Sequence, residues 1–114
     1  MSDAIKVAKQ ARELFQTQCH GVLSTHSVDL PGYPFGSLTP FCLDQKGQAI
    51  ILISSIAQHT RNITANNSVS LLAYDSTAQD IQATDRITYI GNAVAVNDAE
   101  TAERYYHFYP AAIA

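Results

Sequence analysis

A chain of 114 residues, 46% apolar and 15% charged, is one globular domain with no room for a second core. Its net charge of −3 and the lack of any run of Lys or Arg exclude a nucleic-acid binder, which needs a basic stripe to displace counterions. The longest wholly apolar stretch, Ala49 to Ile53, is far short of a membrane span, and the start Met1-Ser2-Asp3-Ala4 lacks a signal-peptide pattern, so cytoplasmic placement is expected. The low charge fraction points to surface covered by a partner, a second copy being the simplest. Cys19 and Cys42 form no C-x-x-C pair, which argues against a dithiol or zinc site.

Asp3 to Thr17 sets Ile5, Ala8, Ala11, Leu14 and Phe15 on one helical face, with Ser2 or Asp3 as cap. His20-Gly21 breaks that helix and opens a strand through Val22 to Thr25. Pro31-Gly32-Tyr33-Pro34 is turn chemistry, followed by a strand from Phe35 to Leu43. Asp44-Gln45-Lys46-Gly47 returns the chain into a strand over Ala49 to Ser54, giving a three-stranded meander. Ser55 and Gln58 have capping-box spacing for a helix from Ile56 to Ala65. Val69 to Tyr74 is a fourth strand, Asp75 to Thr84 a polar loop, and Ile87 to Val96 a fifth strand in which Gly91 marks a bulge or close backbone approach. Asn97-Asp98 caps a last helix carrying Ala102, Tyr105, Tyr106 and Tyr109, which Pro110 stops. Five strands with a helix inserted mid-sheet make a mainly β domain with flanking helices, a small antiparallel barrel.

The segment Ile53 to Asn62 carries the chemistry. A strand delivers Ser54 and Ser55 to a helix N-terminus, where free N–H groups and the helix dipole favour an anion. Arg61 adds a planar, permanently charged fork and His59 a further donor, a set that suits a phosphate monoester. The alternative is that Ser55 and Gln58 only cap the helix and Arg61 lies on a solvated surface. No residue reads as a general acid or base, and Ser24 and Thr25 lack the partners of a hydrolase nucleophile. His20, His26, His59 and His107 include no pair three or four residues apart on a helix, so no local metal site is expected. The tyrosine stripe is expected to pack the last helix rather than to stack on a ligand.

Gly21-Val22-Leu23-Ser24-Thr25, Pro31 to Ser37, His59-Thr60-Arg61-Asn62, Val69-Ser70-Leu71-Leu72, Asp85 to Gly91 and Glu103-Arg104-Tyr105-Tyr106 occur in an order and spacing that resemble the FMN-binding split-barrel family. That family includes pyridoxamine 5′-phosphate oxidase, and the likeness is greater to its haem-utilisation branch. The resemblance implies an antiparallel split β-barrel that binds FMN between two protomers, as an oxidoreductase whose small-molecule substrate the residues do not name. It implies that Pro34, Gly36 and Ser37 run alongside the isoalloxazine and that Ser54 and Ser55 lie near the ribityl chain or phosphate. His59, Thr60, Arg61 and Asn62 would hold the phosphate, and Gln82 and Arg86 would reach in from the second protomer or a neighbouring strand. Haem is the alternative ligand, and a non-catalytic dimeric remnant the third reading. The chain departs from the family where Pro34 to Ser37 and Thr39 replace basic residues on the second strand. It also ends at Ala114, before the C-terminal segments that grip substrate phosphate or haem in relatives, so a shortened barrel is expected.

Overall fold

The structure, a computed structural model, describes residues 3–112. Helix α1 (Asp3–Thr17) leads into β1 (His20–His26), β2 (Pro34–Pro40), β3 (Cys42–Leu43) and β4 (Ala49–Ile50). Helix α2 (Gln58–Ala65), β5 (Ser68–Tyr74), β6 (Arg86–Asn92), α3 (Ala99–Phe108) and a 3₁₀ turn (Pro110–Ala112) follow. One antiparallel sheet runs in the order β2-β1-β5-β6, and β3 and β4 form a separate two-stranded sheet. No helix of the described residues is long and apolar enough to cross a membrane.

The expected meander is therefore divided between two sheets. The segment read as a single strand from Phe35 to Leu43 breaks after Pro40, which has no N–H to continue a ladder. Phe41 N–H still reaches the Cys19 carbonyl at 3.2 Å, and the chain then turns to pair Cys42 with Ile50. Such a corner, where a strand changes sheets, is what splits a barrel. The strand expected to Ser54 stops at Ile50, although Ile51 and Ile53 stay half-buried while Leu52 and Ser54 are exposed. The last strand likewise ends at Asn92 rather than Val96.

Alternation along β1, with Gly21, Leu23 and Thr25 buried, sets which face is core. Leu23, Leu71 and Ala73 pack there with Phe15, Phe41 and Leu43. Only the C-terminal part of α1 docks: Phe15 is buried, its ring 5.6 Å edge-to-face from both Phe41 and Tyr89, whereas residues 3–10 are exposed, Ile5 included. Ser2 lies outside the described residues. The close backbone approach falls at Gly21, not Gly91. A Cβ on Gly21 would stand 2.6 Å from the Leu72 carbonyl oxygen, while Gly91 pairs regularly with Val69 and has space.

Asp98 caps α3 as expected, its Oδ1 accepting the Thr101 N–H at 2.7 Å. Tyr105 is buried, Ala102 is exposed, and Tyr109 lies just past the helix, where its hydroxyl donates to the Cys19 and Phe41 carbonyls. Burial pushes the Tyr109 phenol up to about 12, so it keeps that proton throughout the physiological range. The Thr101 hydrogen bonds hold the Asp98 carboxyl below its ordinary value. A lowered folded-state value means that this contribution is present above the unfolded value and lost as pH falls through the folded one. Asp98→Ala should therefore melt below the wild type near neutral pH, and the two melting temperatures should converge in acid.

Candidate functional site

The N-terminus of α2 sits against edge strand β2. Its cap is Ala57, whose methyl offers no acceptor, so the capping box expected of Ser55 and Gln58 is not made. Ser54, one residue earlier, accepts the Ile56 N–H at 3.3 Å, and Ser55 is exposed. Gln58 turns along the helix instead, donating to Asn62 Oδ1 at 3.1 Å and accepting from Arg61. The Thr60 and Arg61 N–H groups reach back to the Ala57 carbonyl, but those of Gln58 and His59 find no side-chain acceptor among the described residues. An uncapped first turn of this kind is receptive to an anion.

His59 bridges the helix to the sheet: its Nδ1 lies 3.2 Å from Ser37 Oγ, which also approaches the Leu23 carbonyl at 3.5 Å. Its Nε2 is buried with no hydrogen-bond partner. A buried ring nitrogen left unmatched carries a desolvation cost that a bound group would relieve. Arg61 is 58% exposed and pairs at 3.3 Å with Asp29 on the hairpin that links β1 to β2. Thr60 donates its hydroxyl to the Ser54 carbonyl, closing the turn before the helix.

Asn62 departs from its expected part. It is 0% exposed, its Oδ1 accepts the Val28 N–H at 3.1 Å and the Gln58 amide, and its Nδ2 donates to Thr25 Oγ1 at 3.0 Å. It ties the hairpin to the helix from inside the core and is not available to a phosphate. The residues expected beside the ring system divide between two faces of β2. Ser37 points toward α2, whereas Pro34 and Gly36 share the opposite, open face with Leu38.

Gln82 and Arg86 lie elsewhere. Arg86, at the start of β6, pairs with Tyr74 of β5, and its guanidinium donates to the Ile81 and Gln82 carbonyls at 2.8 and 2.9 Å. β6 is separated from β2 by β1 and β5, roughly 14 Å at ordinary strand spacing. Within one chain Arg86 therefore stands well apart from the α2 terminus. Conversely, Asp29 and Ser37's partnership with His59 were not foreseen. The i, i+3 and i, i+4 spacing of Gln58 with Arg61 and Asn62 was the one local signal for that network.

These features define a class: a split antiparallel β-domain with an anion-receptive helix terminus beside an edge strand. The family model "Pyridoxamine 5'-phosphate oxidase" matches residues 7–112, and the chain belongs to that family. A chloroplastic heme oxygenase, HOZ, of Arabidopsis thaliana is 36% identical over 96 residues, covering 82% of this chain and 29% of its own. Heme oxygenase HutZ of Vibrio cholerae is 36% identical over 69 residues, covering 59% of this chain and 39% of its own. The chain thus spans well under half the length of these curated relatives. The solved structure of HutZ, described there as a heme storage protein, superposes with a TM-score of 0.73 at 25% identity, covering 89% of this chain and 74% of that one. Atu2129 of Agrobacterium tumefaciens, of unknown function, has a TM-score of 0.84 at 22% identity, covering 98% and 49%, and shows the same fold.

Proposed function

We propose that this chain is a haem-utilisation member of the family, a barrel domain that binds haem as a homodimer with the ligand at the interface. The observation that carries the reading is the 36% identity to two proteins named heme oxygenases, one of them along 82% of this chain. The open face of the sheet supports it. Leu38, Val22, Leu72 and Thr88 make one cross-strand row there, and Gly36, Ser24, Ser70 and Ile90 the next. Leu38 is 72% and Ile90 79% exposed, with the small residues Gly36, Ser24, Ser70 and Thr88 between them and Tyr74 and Arg86 at one end. Such a face suits either a flat macrocycle or a second copy, and His20 and His26 rise from it as well. Haem supplies the iron chemistry when bound; the residues of this chain bind and orient it.

Titration with haemin tests the reading. The expected result is a Soret shift that saturates at one equivalent per protomer. A shift that grows without saturation would overturn it. Leu38→Asp should separate the copies and weaken haem capture together, read by sedimentation and absorbance.

FMN binding is the second reading, favoured by the α2 terminus. Arg61, the uncapped N–H groups and the unpartnered His59 Nε2 together fit a phosphate, with Ser54, Ser55 and Thr60 around the turn. Asp29 now holds Arg61, so an incoming phosphate takes the place of that carboxylate. Arg61→Ala should weaken FMN binding tenfold or more, as loss of a charged hydrogen-bond partner does at ~1.5–3 kcal/mol. Asp29→Asn should strengthen it about two- to fivefold, the scale of an exposed ion pair. Unchanged FMN affinity in the Arg61 variant would remove the phosphate assignment.

A further inference from the structure

A second concavity lies away from the α2 site. It encloses about 400 Å³ between the end of α1, the Phe41–Gln45 segment and α3. That volume is in the range of small-molecule sites. Phe108 gives it an exposed aromatic wall over a floor of the buried core rings Phe15 and Phe41, and Arg12 and Arg104 contribute the positive charge.

The two arginines differ in how they are held. Arg104 Nε donates to the Leu43 carbonyl at 2.6 Å, and its guanidinium carbon lies 5.6 Å from the Phe108 ring centroid. Those contacts fix the fork while its terminal nitrogens make no ion pair among the described residues. Arg12 rests over the β3–β4 turn, its guanidinium carbon 3.7 Å from where a Gly47 Cβ would stand, and it too pairs with no carboxylate among the described residues. The one acid in the lining, Asp44, spends its Oδ1 on the Lys46 and Gln48 N–H groups at 2.8 Å. Two guanidiniums against one carboxylate leave the groove with a net positive charge in a chain whose overall charge is −3. A pre-fixed guanidinium loses little side-chain freedom when it meets an anion, and aromatic rings favour a flat apolar body.

We infer that this groove is a binding site for a small planar organic monoanion, of the aromatic carboxylate class. The carboxylate meets Arg104 and Arg12, and the ring lies against Phe108. The site is independent of the α2 terminus and of the open sheet face. Cys19, exposed at the same groove, provides a chemical reporter.

The test titrates the full chain with indole-3-carboxylate and, separately, its uncharged isostere indole-3-carboxamide, followed by ¹H–¹⁵N spectra that include the arginine Nε–H signals. The carboxylate should shift Arg104 Nε–H saturably, slow alkylation of Cys19 by iodoacetamide, and bind about tenfold more tightly than the carboxamide, as one charge-assisted contact implies. Arg12→Gln, at an exposed position whose side chain makes no hydrogen bond among the described residues, should cut carboxylate affinity severalfold while leaving the melting temperature unchanged. Equal affinity for the two ligands, shifts centred on Arg61 instead of Arg104, or no saturable shift would each overturn the inference.

Discussion

Replacing Asn62 with leucine should lower stability by about 3 kcal/mol, enough to depress the melting temperature by roughly 15 °C in a domain of this size. The two side chains share the same branched skeleton and leucine is the bulkier, so no cavity opens and crowding adds to the main cost. That main cost comes from the partners left behind. The Val28 N–H, the Thr25 hydroxyl and the Gln58 amide all turn toward the Asn62 amide, and Asn62 and Thr25 are buried. Apolar carbon there leaves each without its partner. Loss of the Val28 contact also frees the hairpin that carries Asp29, so FMN or haem binding should be compared only at temperatures where the variant is folded. Thermal melts by circular dichroism check the prediction; a shift of only a degree or two would show that water replaces the network.

Gly21→Ala should be comparably severe, at about 3 kcal/mol or more. The added methyl would sit 2.6 Å from the Leu72 carbonyl oxygen and 3.2 Å from a Leu71 methyl. The first of these is backbone of the paired strand, and β1 and β5 cannot separate locally without loss of the ladder through Val22 and Leu72. Gly36→Ala is the matched control, because its Cβ would meet only a Val22 methyl at 3.6 Å, an ordinary contact. Denaturant unfolding of the pair should show the first far less stable and the second near wild type. Equal stability would mean that the strands can shift apart at no cost.

The helices and the long strands were legible because their signals are local. Helix α1 and the Asp98 cap follow from periodicity and one well-placed carboxylate, and the run Val22 to Thr25 reads as a strand, although only the structure shows which face is buried. The corner at Pro40 was visible as a proline but not as a change of sheet, since pairing of Cys42 with Ile50 rather than with the β1 hairpin is a tertiary choice. Gly91 looked like the special glycine because it interrupts an apolar strand. Gly21 proved to be the crowded one, and crowding depends on the neighbouring strand's backbone, which sequence does not place.

The site was half legible for the same reason. His59, Thr60 and Arg61 are adjacent in sequence at a helix start and do meet at the α2 terminus. Asn62 belongs to the same run, but one further step around the helix turns it inward, onto Thr25 and Val28 more than thirty residues away. Ser54 and Ser55 reached the turn, yet Ala57 took the cap position, which leaves the helix end open where a capping box would have closed it. Gln82 and Arg86 were grouped with the cofactor residues by resemblance, and sheet order sets Arg86 on the far edge from β2.

The most direct measurement is sedimentation velocity of the haemin-loaded chain, monitored at the Soret wavelength and at 280 nm. A haem-binding homodimer predicts one boundary at the mass of two chains in both traces, with one haem per protomer. Soret absorbance left behind the protein boundary, or carried by a monomer, would contradict the account and return the open face to some other partner.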